Sequence, residues 1–510
     1  MSRKLIKSTA TVGSMTTISR IFGLIRDVVI ARLFGAGAEV DAFIVAFRIP
    51  NFLRRLFAEG GFSQAFVPVL AEYKEQRDDA AVKALVDQTS ATLGLVLFLV
   101  TLVGVIAAPV LIMIFASGFP DAKHVMATDM LRITFPYILF ISLTAFAASI
   151  LNTYKHFAVP AFTPVLLNLS LIACAIWLSP MMNIPVVALA WGVLIAGIVQ
   201  LLFQFPFLLR LKLFPRPSLN KDKEGVRRIL KLMLPTLFAV SIVQINLMVD
   251  TIFASYLVDG SISWLYYSDR MVEFPLGVFG IALATVLLPN LSSEHARNAK
   301  DKFSNTLDWA LRWVFLIAIP AAVGLAVLAV PILATLFQYD EFTPYATIMS
   351  GKSLLAYSLG LPAFILIKIF ATGFFSRQDT KTPVKIGAIA MVANIGFNFI
   401  FVGMFQHAGL ALATSLSACL QAFLLFYLLT KEGVYTPVYG WFKFSLQIVV
   451  AVVVMAGVII YFVAVPEFWF AWGMLERIGM LLLWVAIGIA SYFSVLWLTG
   501  VRWQNMTAQH

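Results

Sequence analysis

Residues 19–68 read SRIFGLIRDVVIARLFGAGAEVDAFIVAFRIPNFLRRLFAEGGFSQAFVP. The stretch is apolar enough to lie in a bilayer, yet it carries Arg20, Arg26, Asp27, Asp41, Arg48, Arg54, Arg55 and Glu59. A charge at membrane depth costs roughly 3 kcal/mol on insertion scales, so helices holding several must turn them toward protein or a watery cavity. On a helix of about 100° per residue, Asp41, Val45, Arg48, Phe52, Arg55 and Glu59 form one stripe. Arg20 and Asp27 share a face of the preceding helix, with Arg26 about a third of a turn away. Two neighbouring helices would then present guanidinium groups, balanced by fewer carboxylates, to a common space. Arginine keeps its charge and offers a planar fork of donors, which suits a phosphate or diphosphate. Arg32, Arg54 and Arg55 also fit a plainer reading, as headgroup contacts or structural ion pairs near helix ends.

The rest of the chain has the same character. Of 510 residues, 61% are hydrophobic and 12% charged, and the mean hydropathy is +0.91, which defines an all-α polytopic membrane protein. The net charge of +11 does not point to nucleic acid, because the basic residues punctuate apolar spans and are not gathered on a soluble domain. Cys174 and Cys419 lie inside apolar segments and read as small buried hydrophobes. The five histidines fall near span ends or at the terminus, which argues against an intramembrane histidine relay or a histidine metal site. The charges at Arg20 and Arg26 interrupt the first apolar segment, so no cleavable signal peptide is read there.

About fourteen spans are predicted, at 12–36, 39–58, 88–117, 127–152, 160–179, 184–209, 230–257, 263–290, 309–337, 345–375, 384–404, 408–430, 442–465 and 473–499. Lys and Arg cluster at the N-terminus and after spans two, four, six, eight and ten; the alternate loops hold almost none, with Lys123 the main exception. The asymmetry places both termini in the cytoplasm. Residues 220–233, NKDKEGVRRILKLM, are basic on one side and apolar on the other and predict an interfacial helix that meets lipid headgroups.

An internal repeat organises the spans. DVVIARLFGAG at 27–37 aligns without a gap with DTIFASYLVDG at 250–260, and the same offset brings Pro160 onto Pro383. Arg48 falls near Arg270 and Pro50 near Pro275. The offset holds six spans, so the halves share one orientation and are parallel repeats. The expected architecture is two six-helix lobes around a central cavity, residues 1–219 and 220–433, with spans thirteen and fourteen added at 434–510. Proline-broken helices at corresponding positions are the expected pointer to a transporter's binding site.

In the second lobe, Ser263 and Arg270 share a face at i, i+7, with Asp269 and Glu273 close by, as the opposite wall of that cavity or as a local lock between helices. Asp250, Asn394, Asn398 and Thr414 offer a carboxylate, amide oxygens and a hydroxyl to a monovalent cation or a proton; ordinary interhelical hydrogen bonding explains the amides and hydroxyl equally well. Lys368 lies within span ten, either lining the cavity or snorkelling. No Walker loop, nucleophile elbow, HExxH or clustered metal ligands are present, so an enzyme is not expected.

SRIFGLIRDVVIARLFGAG, DAFIVAFRIPNFLRRLFAEGGFSQAFVP and SDRMVEFPLGVFGIALATVLLP at 268–289 resemble the MurJ (MviN) family, bacterial lipid II flippases of the multidrug/oligosaccharidyl-lipid/polysaccharide exporter superfamily, and the resemblance runs over essentially the whole chain. It implies transfer of undecaprenyl-diphosphate-linked disaccharide pentapeptide from the cytoplasmic to the periplasmic leaflet of the bacterial inner membrane. It also implies a functional cavity at Arg20, Arg26, Asp41, Arg54, Arg55, Glu59, Ser263, Asp269 and Arg270, and a lipid-tail groove at spans thirteen and fourteen. A sodium site in some relatives would fall on Asp250, Asn394, Asn398, Leu410 (through its backbone) and Thr414, with Asn398 standing where a carboxylate can occur. The expected cofactor set is none, with Na+ or H+ and the membrane potential as coupling; the expected partners are lipid II, membrane lipids and cell-wall synthases, with no nucleic acid, for a monomer. The competing readings are a flippase for another polyprenyl-diphosphate glycan, a cation-coupled antiporter, and a non-transporting scaffold.

Overall fold

The computed structural model describes residues 3–55, 62–218, 224–463 and 465–501, and every regular element among them is a helix. The chain divides into two compact units, Met1–Gly260 and Ser261–His510. The first contains α1 (Arg3–Phe34), α2 (Ala38–Arg54), α3 (Ser63–Gln76), α4 (Asp79–Ile106), α5 (Ala108–Phe115), α6 (Asp121–Thr134), α7 (Tyr137–Thr153), α8 (Ala158–Ala173), α9 (Val187–Arg210) and α10 (Glu224–Ser255). The second contains α11 (Ser261–Pro275), α12 (Ile281–Ala296), α13 (Lys300–Val327), α14 (Ala329–Leu336), α15 (Pro344–Phe375), α16 (Lys381–Phe405), α17 (His407–Lys431), α18 (Trp441–Phe462), α19 (Pro466–Ala471) and α20 (Met474–Leu498).

Among the described residues, 11 helices are long and apolar enough to cross a bilayer. The expected spans outside that set coincide with α1, α2 and α10. These hold Arg20, Arg26 and Asp27, then Asp41 and Arg48, then Gln244, Asn246 and Asp250, the side chains that lower hydropathy and need a polar surrounding. Residues 224–233 are the first turns of α10 rather than a separate interfacial helix.

The repeat is visible in where helices break. Turns with left-handed glycines, Gly35 at φ 68° and Gly260 at φ 93°, precede α2 and α11. Both helices then carry a proline, Pro50 or Pro275, and α11 passes through a π turn, Leu276–Gly280, into α12. A proline removes an N–H and clashes with the preceding turn, which is why α11 ends at Pro275, whereas α2 continues past Pro50 to Arg54. The next span is also interrupted in each unit, at Ala107 between α4 and α5 and at Leu328 between α13 and α14. Pro160 and Pro383 each stand third in their helices, where no intrahelical N–H is needed.

In the first unit, Phe62, Phe66 and Phe146 pack with Leu85, Leu208 and Ile229, so α3, α4, α7, α9 and α10 share a core. In the second, Leu316, Phe444, Ile448, Trp469, Trp484 and Tyr492 join α18–α20 to α13. Arg477, buried at the start of α20, donates to Ala334 O at 2.9 Å, Gln338 O at 2.7 Å and Phe470 O at 3.0 Å. A cation at the carbonyl end of α14 is favoured by the helix dipole. Cys174 is buried as expected, but Cys419 is exposed on the rim of an apolar cavity of about 560 Å³ lined also by Leu359, Phe423 and Trp441. It is exposed because this cavity, walled by α13, α15, α17 and the start of α18, opens beside it.

Candidate substrate-binding site

The charges of residues 19–68 are drawn into the first unit by partners distant in sequence. On α1, Arg26 donates from Nε and Nη2 to Asp27 Oδ1, at 3.0 and 2.7 Å, and from Nη1 to Asn168 Oδ1 on α8 at 3.0 Å. Asn168 Nδ2 in turn donates to Ser19 O at 3.1 Å. The guanidinium is 11% exposed and the carboxylate 3%, so the pair is neutral as a whole and nearly dry. Arg20 is exposed on the same helix.

The stripe predicted on α2 divides into two environments. Asp41, 1% exposed, receives Lys123 Nζ at 2.9 Å and the Gly260 amide at 2.8 Å; Lys123 also donates to Asp259 Oδ1 at 2.8 Å. The Lys123 ammonium lies 4.3 Å from the centre of the Phe119 ring. The cluster ties the start of α2 to α6 and to the turn after α10. Arg48, two turns further on, donates from Nη1 to Thr251 Oγ1 on α10 at 2.8 Å, and the Thr251 hydroxyl donates in turn to Leu247 O at 2.7 Å. Thr251 is neutral, and no carboxylate pairs with Arg48 among the described residues. Arg48 is therefore a half-buried cation held in position without being neutralised. Arg54 donates to Asn51 Oδ1 at 2.8 Å, and Arg55 closes α2 through its amide. Glu59 lies outside the described residues.

In the second unit, Ser263 is fully buried, while Asp269 and Arg270 are half-buried on α11. Arg270 pairs with Glu273 one turn on, and its guanidinium lies 4.9 Å from the Tyr266 ring centre. Of the residues expected at a cation site, Asn394 and Asn398 on α16 and Leu410 on α17 are buried, and Thr414 Oγ1 donates to Leu410 O at 3.0 Å. Asp250 belongs to the first unit, on α10, half-buried. Lys368 is exposed on α15.

Sequence reasoning missed the partners. Lys123 stood out only as a basic residue in a loop otherwise poor in them, and that anomaly was its signal: a lone lysine there needs carboxylates. Asn168 and Thr251 carried none, being single polar residues within apolar helices.

Helices repeated in two units, broken at matching prolines and carrying buried guanidinium groups, define a polytopic helical membrane transporter fold. Residues 30–479 match the family described as lipid II flippase MurJ. The chain is 48% identical to a probable lipid II flippase MurJ of Vibrio cholerae, over 100% of this chain and 98% of that one, and 44% identical to a lipid II flippase MurJ of Burkholderia cenocepacia, over 98% of each. Among solved structures, lipid II flippase MurJ in an inward closed conformation superposes with a TM-score of 0.80 at 29% identity, covering 95% of this chain and 97% of that one. An inward-facing multidrug resistance MATE family transporter of the MOP superfamily shares the fold, with a TM-score of 0.70 at 16% identity over 83% of this chain and 98% of that one. The chain belongs to the MurJ family of lipid II flippases.

Proposed function

We propose that this protein flips lipid II from the cytoplasmic to the periplasmic leaflet of the bacterial inner membrane, gripping the diphosphate with arginines of its first unit. The observation that carries the reading is Arg48, a half-buried guanidinium whose partner, Thr251, is neutral. Burial of an uncompensated cation is costly, and a diphosphate would relieve that cost with charge-assisted bonds. Arg26 is the second grip. Its fork is already preorganised by Asp27 and Asn168, and a phosphate would compete with the neutral Asn168 more readily than with the carboxylate. Arg20, Arg54, Arg55 and Glu59, with Ser263, Asp269 and Arg270 from the second unit, complete the proposed cavity.

The cycle is alternating access between lobes at 1–219 and 220–433, across fourteen spans with both termini cytoplasmic, and the polyprenyl tail lies along the helices of 434–510. The membrane potential drives it, together with Na+ or H+; a sodium ion would sit at Asp250, Asn394, Asn398, Leu410 and Thr414. The Lys123–Asp41–Asp259 cluster must loosen if the turn after α10 moves away from α2 during that cycle, and ligand binding drives such a step only by favouring one state over the other. The protein acts as a monomer beside cell-wall synthases and carries out no chemistry on its substrate.

The test is translocation of lipid II in proteoliposomes under an imposed potential. Wild type is expected to flip, and Arg48→Ala and Arg26→Ala to fall to the protein-free background. Transport of another polyprenyl-diphosphate glycan in place of lipid II would overturn the substrate, and full activity in both variants would overturn the arginine grip.

A further inference from the structure

His407 opens α17 immediately after a strained joint. Gln406, alone between α16 and α17, has φ 52° and ψ −128°, a region that side chains other than glycine rarely enter. The turn is held by Gln406 N to Val402 O at 2.9 Å and Gly409 N to Gln406 O at 3.0 Å, and a Cβ on Gly409 would come within 2.3 Å of Phe401 O. At this span end the reversal turns the imidazole inward, to 2% exposure.

The ring has one nitrogen committed and one not. Nε2 lies 3.0 Å from Met349 O on α15. A carbonyl oxygen only accepts, so Nε2 carries the hydrogen and, in the neutral ring, Nδ1 is a bare lone pair. Nδ1 is buried without a partner. The imidazole meets Trp264 of α11 edge-on, with centroids 4.8 Å apart and planes at 63°, and Trp264 is 2% exposed with its own Nε1 unpartnered. The hydroxyls of Ser261, Ser350 and Ser353, from α11 and α15, are likewise buried and unpartnered. Buried polar atoms are ordinarily satisfied, and five unpartnered ones on α11, α15 and the start of α17 call for an explanation.

The charged surroundings are sparse. On α15, Lys352 is exposed three residues beyond Met349; Tyr345 stacks edge-on against Trp264, and Tyr357 and Lys368 follow further along. On α11, Asp269, Arg270 and Glu273 begin five residues past Trp264, about 7.5 Å along the axis at 1.5 Å per residue. On α16, Lys381 and Lys385 sit at the opposite end, about 30 Å away by the same rise, and Lys431 closes α17 at its far end. A proton on Nδ1 would therefore be carried by a ring packed against the Trp264 indole, with Met349 O kept as the Nε2 partner in both states.

We infer that His407 is a proton-binding site of the second unit, taking the proton on Nδ1 and coupling it to the transport cycle; this rests on the flippase reading and names its coupling ion. A charge appearing there repels the Lys352 side and presses on the Trp264 contact, so it biases how α11, α15 and α17 pack at the strained joint.

Two readouts separate the site from the function. Imidazolium quenches a contacting indole, so the difference in fluorescence between wild type and Trp264→Phe, followed from about pH 8 down to about pH 4, is expected to fall in wild type and stay flat in His407→Gln. In proteoliposomes at fixed potential, an inward proton gradient is expected to change the wild-type rate of lipid II flipping several-fold, and in His407→Gln the ratio with and without gradient falls to one. A flat Trp264 signal in wild type overturns the site even where His407→Gln fails to fold. An equal gradient response in wild type and His407→Gln overturns the coupling. Normal quenching in a wild type that flips no lipid II leaves the proton site standing and overturns the substrate.

Discussion

In the first unit the helix after the glycine turn, α2, places Asp41 in its first turn, buried against Lys123 and the Gly260 amide. Its counterpart in the second unit, α11, starts with Ser261, Ser263 and Ser268, hydroxyls with no exposed surface, beside Trp264 and His407. The same turn, the same proline-bearing helix and the same downstream interruption recur, yet α2 buries full charges where α11 buries neutral hydroxyls beside an imidazole. Repetition thus conserves the backbone device while the side chains divide the work. On α2 the groups are a buried ion pair and a held guanidinium; on α11 they are hydroxyls packed beside an indole and an imidazole.

The comparison breaks most sharply at Asp41. In Asp41→Asn, Lys123, 7% exposed, keeps only Asp259, which is 59% exposed. Leaving a buried charge without its partner typically costs about 3 to 5 kcal/mol, so a large fall in the thermal midpoint of the purified protein is expected, and Asp41→Asn with Lys123→Met is expected to recover part of it. A single variant as stable as wild type would mean that the first unit does not depend on buried charge.

The second unit also has a charged hub, and it sharpens the contrast by lying at the base of the added helices. Asp308 on α13, buried, accepts from Tyr435 Oη at 2.7 Å, Trp441 Nε1 at 2.6 Å and Arg312 Nε at 2.8 Å. Burial, followed by that hydrogen bond, pushes the Tyr435 hydroxyl well up, so it remains a donor. Asp308→Asn removes the charge but keeps one accepting oxygen, and a loss of roughly 2 kcal/mol is expected, with faster proteolysis of the 432–440 loop. Unchanged cleavage would show that packing alone seats α18.

The smallest effect belongs to an exposed pair. Arg228 at the start of α10 donates to both oxygens of Glu72 on α3, at 2.7 and 2.8 Å. The hydrogen bond from Arg228 holds the Glu72 carboxyl below its ordinary value of 4.5. A lowered carboxyl contributes stability that is complete above that ordinary value and is lost as the pH falls through the folded one. Exposed pairs contribute little, so Glu72→Gln is expected to leave the thermal midpoint near neutral pH almost unchanged and to flatten slightly its decline below about pH 4.5. A large loss at neutral pH would show that this pair, rather than the shared core of α3 and α10, docks the two helices.

Much of the site was legible because burying charge in an apolar helix has few solutions. Arg26, Asp41 and Arg48 stood out on that ground, and the structure gives each a partner. What the sequence concealed was who those partners are: Asn168 is 142 residues from Arg26, Thr251 is 203 from Arg48, and Lys123 is 82 from Asp41. His407 lies at a span end, as the sequence indicates; what the sequence did not show is that a single residue at positive φ folds α17 back so sharply that its first side chain is buried.

The sequence by itself determined that this is an all-helical membrane protein with an internal repeat, a charged first pair of helices and prolines at matching places. Hydropathy, helical periodicity and proline's missing donor are local properties, and a chain cannot avoid expressing them. Only the tertiary structure decided which guanidinium is neutralised and which is merely held, and which imidazole nitrogen is left without a partner. Those outcomes depend on side chains from distant helices meeting within hydrogen-bonding distance, a condition of packing that no local pattern encodes.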